Sequence, residues 1–182
     1  MTKILGVVMD PIASIKPHKD TTLALLLAAQ RRGWEIKYME QGSLALDNSN
    51  PIANMASLQV RDHATSWFTL GESKIESLAS LDVILMRKDP PFDSEYIYST
   101  YILEAAEKQG ALVVNKPQSL RDCNEKVFAT LFPQCTPPLL VSRDALQLKS
   151  FYQTHHDIVL KPLDGMGGTS IFKVGPDDPN LN

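Results

Sequence analysis

Two cysteines are all that the 182 residues carry, and Cys123 and Cys135 form no CxxC pair and have no histidine at a zinc-ligand spacing. A structural zinc site or a redox dithiol is thereby excluded, and the thiols read as buried or idle. No apolar run reaches the length that spans a bilayer, and the first ten residues lack the basic start, apolar stretch and small-residue cleavage site of a secretory leader. These absences point to the cytoplasm. An excess of one charge is missing too: 18 Lys and Arg stand against 21 Asp and Glu, a net charge of -3, and no basic stripe is interleaved with aromatics. Neither nucleic acid nor a membrane surface is therefore an expected partner. His18, His63, His155 and His156 show no ligand or triad spacing and are expected at the surface. There is no internal repeat and no low-complexity tract.

What is present suits a folded α/β chain. Hydrophobic residues make up 43% and charged ones 21%, enough apolar material for a core and unlike a disordered chain. Residues 3–9 form a β-branched apolar run that stops at Asp10-Pro11, where proline removes a donor and holds its predecessor extended. Asp20, Thr21 and Thr22 offer cap oxygens to a helix running to Arg32, with Leu23, Leu26 and Leu27 on one face and Gly33 as its stop. A second strand is read over 34–39, and strand, helix, strand implies parallel pairing.

Residues 41–54, rich in Gly, Ser and Asn, read as a loop or weak hairpin, and 55–62 and 67–70 as short extended segments. Residues 81–87, LDVILMR, stay apolar until they reach charge, as a central parallel strand does. A helix over 95–109, capped by Asp93 or Ser94, and a strand over 111–114 follow. The polar connection 115–124 leads to a second domain: a short helix over 125–132, breaks at Pro133, Pro137 and Pro138, a strand over 139–141 and a helix over 144–155. Arg87 emerges at the carboxyl end of the 81–87 strand, the edge at which open α/β sheets bind ligands. Its guanidinium can grip a carboxylate through two parallel hydrogen bonds, the competing role being a salt bridge between domains.

Residues 157–174, DIVLKPLDGMGGTSIFKV, read as strand, glycine loop, strand. Gly165, Gly167 and Gly168 let backbone N–H groups turn toward an anion, and Lys161 adds full charge at the base. The spacing is neither GxxxxGK[ST] nor a GxGxxG opening a helix, so the loop reads as a hairpin tip over phosphates. An ordinary Asp-Gly turn is the competing reading, and Asp164 itself is a turn former.

LKPLDGMGGTSIF, with VILMRKDPPFD at 83–93 and VNKPQSLRDCNEK at 114–126, resembles the bacterial-type glutathione synthetases of the ATP-grasp superfamily, and the likeness runs from residue 9 to the end of the chain. The resemblance implies a parallel-sheet, Rossmann-like pre-ATP-grasp domain over 1–122, followed over 123–182 by the first part of an ATP-grasp domain. It implies Lys126 and Lys161 on the phosphates of ATP, within a site that takes in Gly165, Met166, Gly167, Gly168, Thr169 and Ser170. The implied reaction joins γ-glutamylcysteine to glycine through an acyl phosphate, without an enzyme nucleophile. Mg2+, or Mn2+ in its place, is expected on carboxylates beyond Asn182, so that the chain is an N-terminal portion, inactive alone, of a homo-oligomeric enzyme. Another ATP-grasp carboxylate–amine ligase, or a non-catalytic nucleotide-binding or oligomerisation module, are the alternatives. VILMRKDPPFD favours the first reading, because it lies in the substrate-facing domain.

Overall fold

The computed structural model describes residues 2–88, 91–165, 168, 170–176 and 178. They fall into two compact units, one ending at Arg121 and one starting at Asp122, with Pro91 and Phe92 grouped with the second.

In the first unit the strands β1 (Ile4–Val8), β2 (Glu35–Met39), β3 (Leu44–Asp47), β4 (Asn50–Val60), β5 (Phe68–Ser77), β6 (Val83–Met86) and β7 (Leu112–Val114) form one sheet. Its order is β3-β4-β2-β1-β6-β7, with β5 also paired to β4. The expected parallel pairing is present: Ile4 lies opposite Glu35 and Val8 opposite Met39, while on the other side Leu5 faces Val83 and Val8 faces Met86. Leu5 and Val7 point to one face and Val8 to the other, and all three are buried, which is why the run carries no polar residue.

Helix α1 (Thr21–Arg31) is capped by the Asp20 carboxylate, which accepts the Leu23 N–H at 2.7 Å. It lays Leu23, Leu26 and Ala29 on Leu5, Val7, Ile36 and Tyr38. The chain leaves it through Gly33, at φ +75°, a conformation that glycine adopts without a Cβ penalty. Helix α2 (Ser94–Lys108), capped by Asp93 onto the Tyr96 N–H at 2.9 Å, buries Tyr96, Leu103 and Ala106 and packs along β4 and β7.

Several expectations need correction. The ambiguous extended segments are two long antiparallel strands, β4 and β5, and β5 reaches Ser77 instead of Leu70. Its residues 71–75 are exposed, Ile75 included, and are held by the ladder and not by burial. The ladder is irregular between Ala56 and Leu58, and a side chain at Gly71 would collide with the Ser57 hydroxyl there. The connection 115–124 contains a helix, α3 (Pro117–Asp122), begun by proline in the first turn. Arg121 anchors it, donating to Glu104 Oε2 at 2.5 Å and Thr100 Oγ1 at 3.1 Å, with the guanidinium 4.5 Å from the Tyr101 ring centroid.

In the second unit the helix expected over 125–132 is a turn followed by one 3-10 turn (Phe128–Leu131). The Asn124 side chain accepts the N–H groups of Lys126 and Val127, and Pro133 stops propagation. Residues 139–141 form no strand; they follow Pro137 and Pro138, and Leu139 and Val141 are exposed. The helix expected over 144–155 is present as α4 (Ala145–His155), with Asp144 as its cap, accepting the Leu146 N–H at 2.8 Å. β8 (Ile158–Leu160) and β9 (Phe172–Val174) form the expected hairpin. Its second strand starts later than residue 169, because Gly168 and Ser170 have φ of +84° and +57°, which an extended ladder does not accept.

Candidate functional site

Between β1 and β6 the chain diverges: β1 leads outward to β2, and β6 leads outward to β7. Such a point opens a crevice at the carboxyl ends of parallel strands. Arg87 stands there. Its backbone N–H donates to Val8 O at 2.7 Å, extending the β1–β6 pairing by one residue. The guanidinium donates from Nε to Thr22 Oγ1 and from Nη2 to Thr21 Oγ1, each at 3.1 Å. Among the described residues no carboxylate is paired with it. Lys88 binds Asp10 Oδ1 at 3.0 Å, joining the segment after β6 to the one after β1. Asp89 lies outside the described residues.

The turn after β1 is pinned from below. Ile12 N–H donates to the Tyr38 hydroxyl at 3.3 Å, that hydroxyl donates to Glu40 Oε1 at 2.6 Å, and Trp67 Nε1 donates to Ile12 O at 3.0 Å. Burial first, and then the bond to Glu40, push the Tyr38 phenol well above its ordinary range, so it stays a neutral donor. None of Thr21, Thr22, Tyr38 or Trp67 is a site residue by sequence reasoning. The two threonines read only as helix-cap candidates, and the cap is Asp20.

In the second unit Lys126 and the start of the glycine loop meet. Lys126 Nζ lies 2.6 Å from Gly165 O and 3.3 Å from Leu163 O, and it pairs with Glu125 at 2.9 Å, its side chain only 19% exposed. Lys161 follows β8 and is exposed. Gly168 and Ser170 both adopt left-handed backbone, and Ile171 N–H reaches Gly168 O at 3.5 Å. The candidates Met166, Gly167 and Thr169 lie outside the described residues.

Both cysteines are free and exposed, so the reading of them as buried does not hold. The four histidines are exposed. Among the described residues no group of three or more His, Cys, Asp or Glu is placed to hold a metal ion, and no helix is long and apolar enough to cross a membrane.

Residues 4–121 match the family model of the prokaryotic glutathione synthetase N-terminal domain, and residues 125–182 that of the ATP-grasp domain of the same enzymes. A glutathione synthetase of Yersinia pestis is 60% identical over 178 residues, 98% of this chain and 56% of the relative. One from Pseudomonas putida is 60% identical over 182 residues, 100% of this chain and 57% of the relative. The chain thus spans a little over half the length of the curated relatives it matches. Among solved structures, an ATP-grasp ligase, PsnB, complexed with a minimal precursor, superimposes with a TM-score of 0.52 at 14% identity, covering 99% of this chain and 58% of that one. At that identity the likeness speaks for the fold.

Proposed function

Because this chain belongs to the prokaryotic glutathione synthetase family, we propose that the protein joins γ-glutamylcysteine to glycine with ATP. What supports the reading most is that two stretches 39 residues apart, the end of VNKPQSLRDCNEK and the start of the glycine loop, meet at the Lys126–Gly165 contact. The division is a substrate-side domain over 1–122 and a nucleotide domain from 123 on. Lys126, Lys161 and the loop from Gly165 through Met166, Gly167, Gly168 and Thr169 to Ser170 hold the phosphates of ATP. To do so, Lys126 exchanges the carbonyls of Leu163 and Gly165 for phosphate oxygens. Backbone donors preorganised toward oxygens that gain charge contribute about 2.7–4 kcal/mol each.

The cysteinyl carboxylate attacks the γ-phosphorus, ADP departs, and an acyl phosphate forms. The glycine amine then attacks the acyl carbon, loses its proton, and phosphate leaves. Arg87 binds a carboxylate of γ-glutamylcysteine at the crevice between β1 and β6. A divalent cation, magnesium in our reading with manganese as a substitute, belongs to ATP-grasp chemistry. The described residues do not form its site. The setting is the cytoplasm and the assembly a homo-oligomer.

The reading is tested with the intact protein by ADP formation that requires γ-glutamylcysteine and glycine together; turnover only with a different amino-acid pair would assign another ATP-grasp ligase. Lys126→Met and Lys161→Met should each weaken ATP binding while leaving γ-glutamylcysteine binding intact, as read by calorimetric titration of both ligands. Normal ATP affinity in both variants would remove the lysines from the site.

A further inference from the structure

Arg87 is held in a particular way. A guanidinium carries five N–H groups in one plane, so fixing two of them fixes the direction of the others. Here Nε and Nη2 donate to Thr22 and Thr21, which occupies the side edge of the fork. The edge formed by Nη1 and the second Nη2 hydrogen points away from the threonines, and two parallel donors in that geometry match a carboxylate. Thr22 is 5% exposed, so its β-branched side chain is locked by packing. Both threonines sit in the first turn of α1, itself fixed by the Asp20 cap. The Arg87 backbone is tied to Val8 O. The ordering of a long, flexible side chain is thus borne by folding and not by binding.

We infer that Thr21 and Thr22 are positioning residues that aim the terminal edge of Arg87 at the carboxylate on the γ-glutamyl end of the substrate; the inference rests on the reading of Arg87 as substrate clamp. The choice of carboxylate follows from the chemistry. γ-Glutamylcysteine has two free carboxylates, and the cysteinyl one must attack phosphorus. An oxygen gripped by two guanidinium hydrogen bonds donates its electrons poorly, so the clamp belongs on the carboxylate that does not react. Lys88 is engaged by Asp10 and supplies a neighbouring charge, not the fork.

The test uses the intact protein and reads KM for γ-glutamylcysteine, KM for ATP, kcat and the melting temperature. Thr21→Val with Thr22→Val keeps volume and removes both hydroxyls. It should raise KM for γ-glutamylcysteine about tenfold, the loss of one well-aligned charged hydrogen bond, with KM for ATP and melting unchanged. Serine at both positions keeps the hydroxyls and should recover most of that loss. In an Arg87→Ala background the valine changes should add nothing further. A substrate amidated at the γ-glutamyl carboxylate should bind the unaltered protein as weakly as normal substrate binds Arg87→Ala. Valine effects that persist undiminished without Arg87, or no valine effect although Arg87→Ala is defective, would overturn the positioning role. Arg87→Ala binding substrate normally would instead sink the clamp itself. If the valine pair melts early, the serine pair and the amidated substrate still decide.

Discussion

The unit up to Arg121 and the unit after it spend similar side chains differently. Val7, Val8, Leu26, Ile84 and Leu103 are wholly buried in the first, whereas Leu131, Leu146, Val159 and Phe172 in the second are 65%, 78%, 50% and 62% exposed. Among the described residues, Ile158 is the one buried apolar side chain beyond Arg121. The cause is layering. β1 has a strand on each side and α1 against the face that carries Leu5 and Val7, and Val8 on the opposite face is buried as well. β8 has one partner, β9, and a two-stranded ribbon covers little of itself. An apolar pattern states which side chains want cover; the number of layers decides whether they get it.

The strongest way to break this comparison is native-state hydrogen exchange. Amides of Val7 and Leu85 should exchange at least about a thousandfold more slowly than those of Val159 and Lys173, because central strands open only with the whole sheet. Equal protection would mean that the second unit is as cooperative as the first. Next in size is a pair of truncations read by urea unfolding. Ile84→Ala, at a fully buried site, should cost about 2–5 kcal/mol. Leu146→Ala, 78% exposed, should stay within about 0.5 kcal/mol. Similar losses at both would erase the distinction.

The smallest effect sharpens the comparison at the end of the first unit, where Arg121 ties α3 to α2. The Arg121 bond first, and then Lys108, hold the Glu104 carboxyl below its ordinary range. A lowered value in the folded state means that this contribution is complete above the ordinary glutamate range, about pH 4.3, and is lost as pH falls through the folded value. Glu104→Gln should therefore show a shallower loss of urea midpoint between pH 5 and pH 3, each an approximate bound set by that range. A slope identical to that of the unaltered protein would detach the pair from acid stability.

Legibility in the sequence follows the same physics. β1 and β6 are readable because burial on both faces leaves no room for polar residues. The stretch of β5 over residues 71–75 is not, since GESKI is exposed and is strand only through its ladder to β4. α3 is hidden by its brevity and polarity, and the expected strand at 139–141 fails because Pro137 and Pro138 leave its exposed backbone without a ladder. In the candidate sites, Arg87 and Lys126 stand out as charges at element ends inside recognisable motifs. Thr21 and Thr22 do not, since any helix start favours such residues, and their bonds to Arg87 span 66 and 65 residues.

The position of β1 between β2 and β6 also has a consequence for synthesis. β2 is complete at Met39, but β6 begins only at Val83. At roughly 5–20 residues per second, the intervening stretch takes about two to nine seconds to translate. For that interval the flank of ILGVV destined for β6 is a bare, apolar strand edge outside the ribosome, of the kind that recruits a neighbouring nascent chain or a chaperone. The antiparallel excursion through β3, β4 and β5 sets the length of that exposure, so shortening it would hasten the moment at which the central strand is closed on both sides.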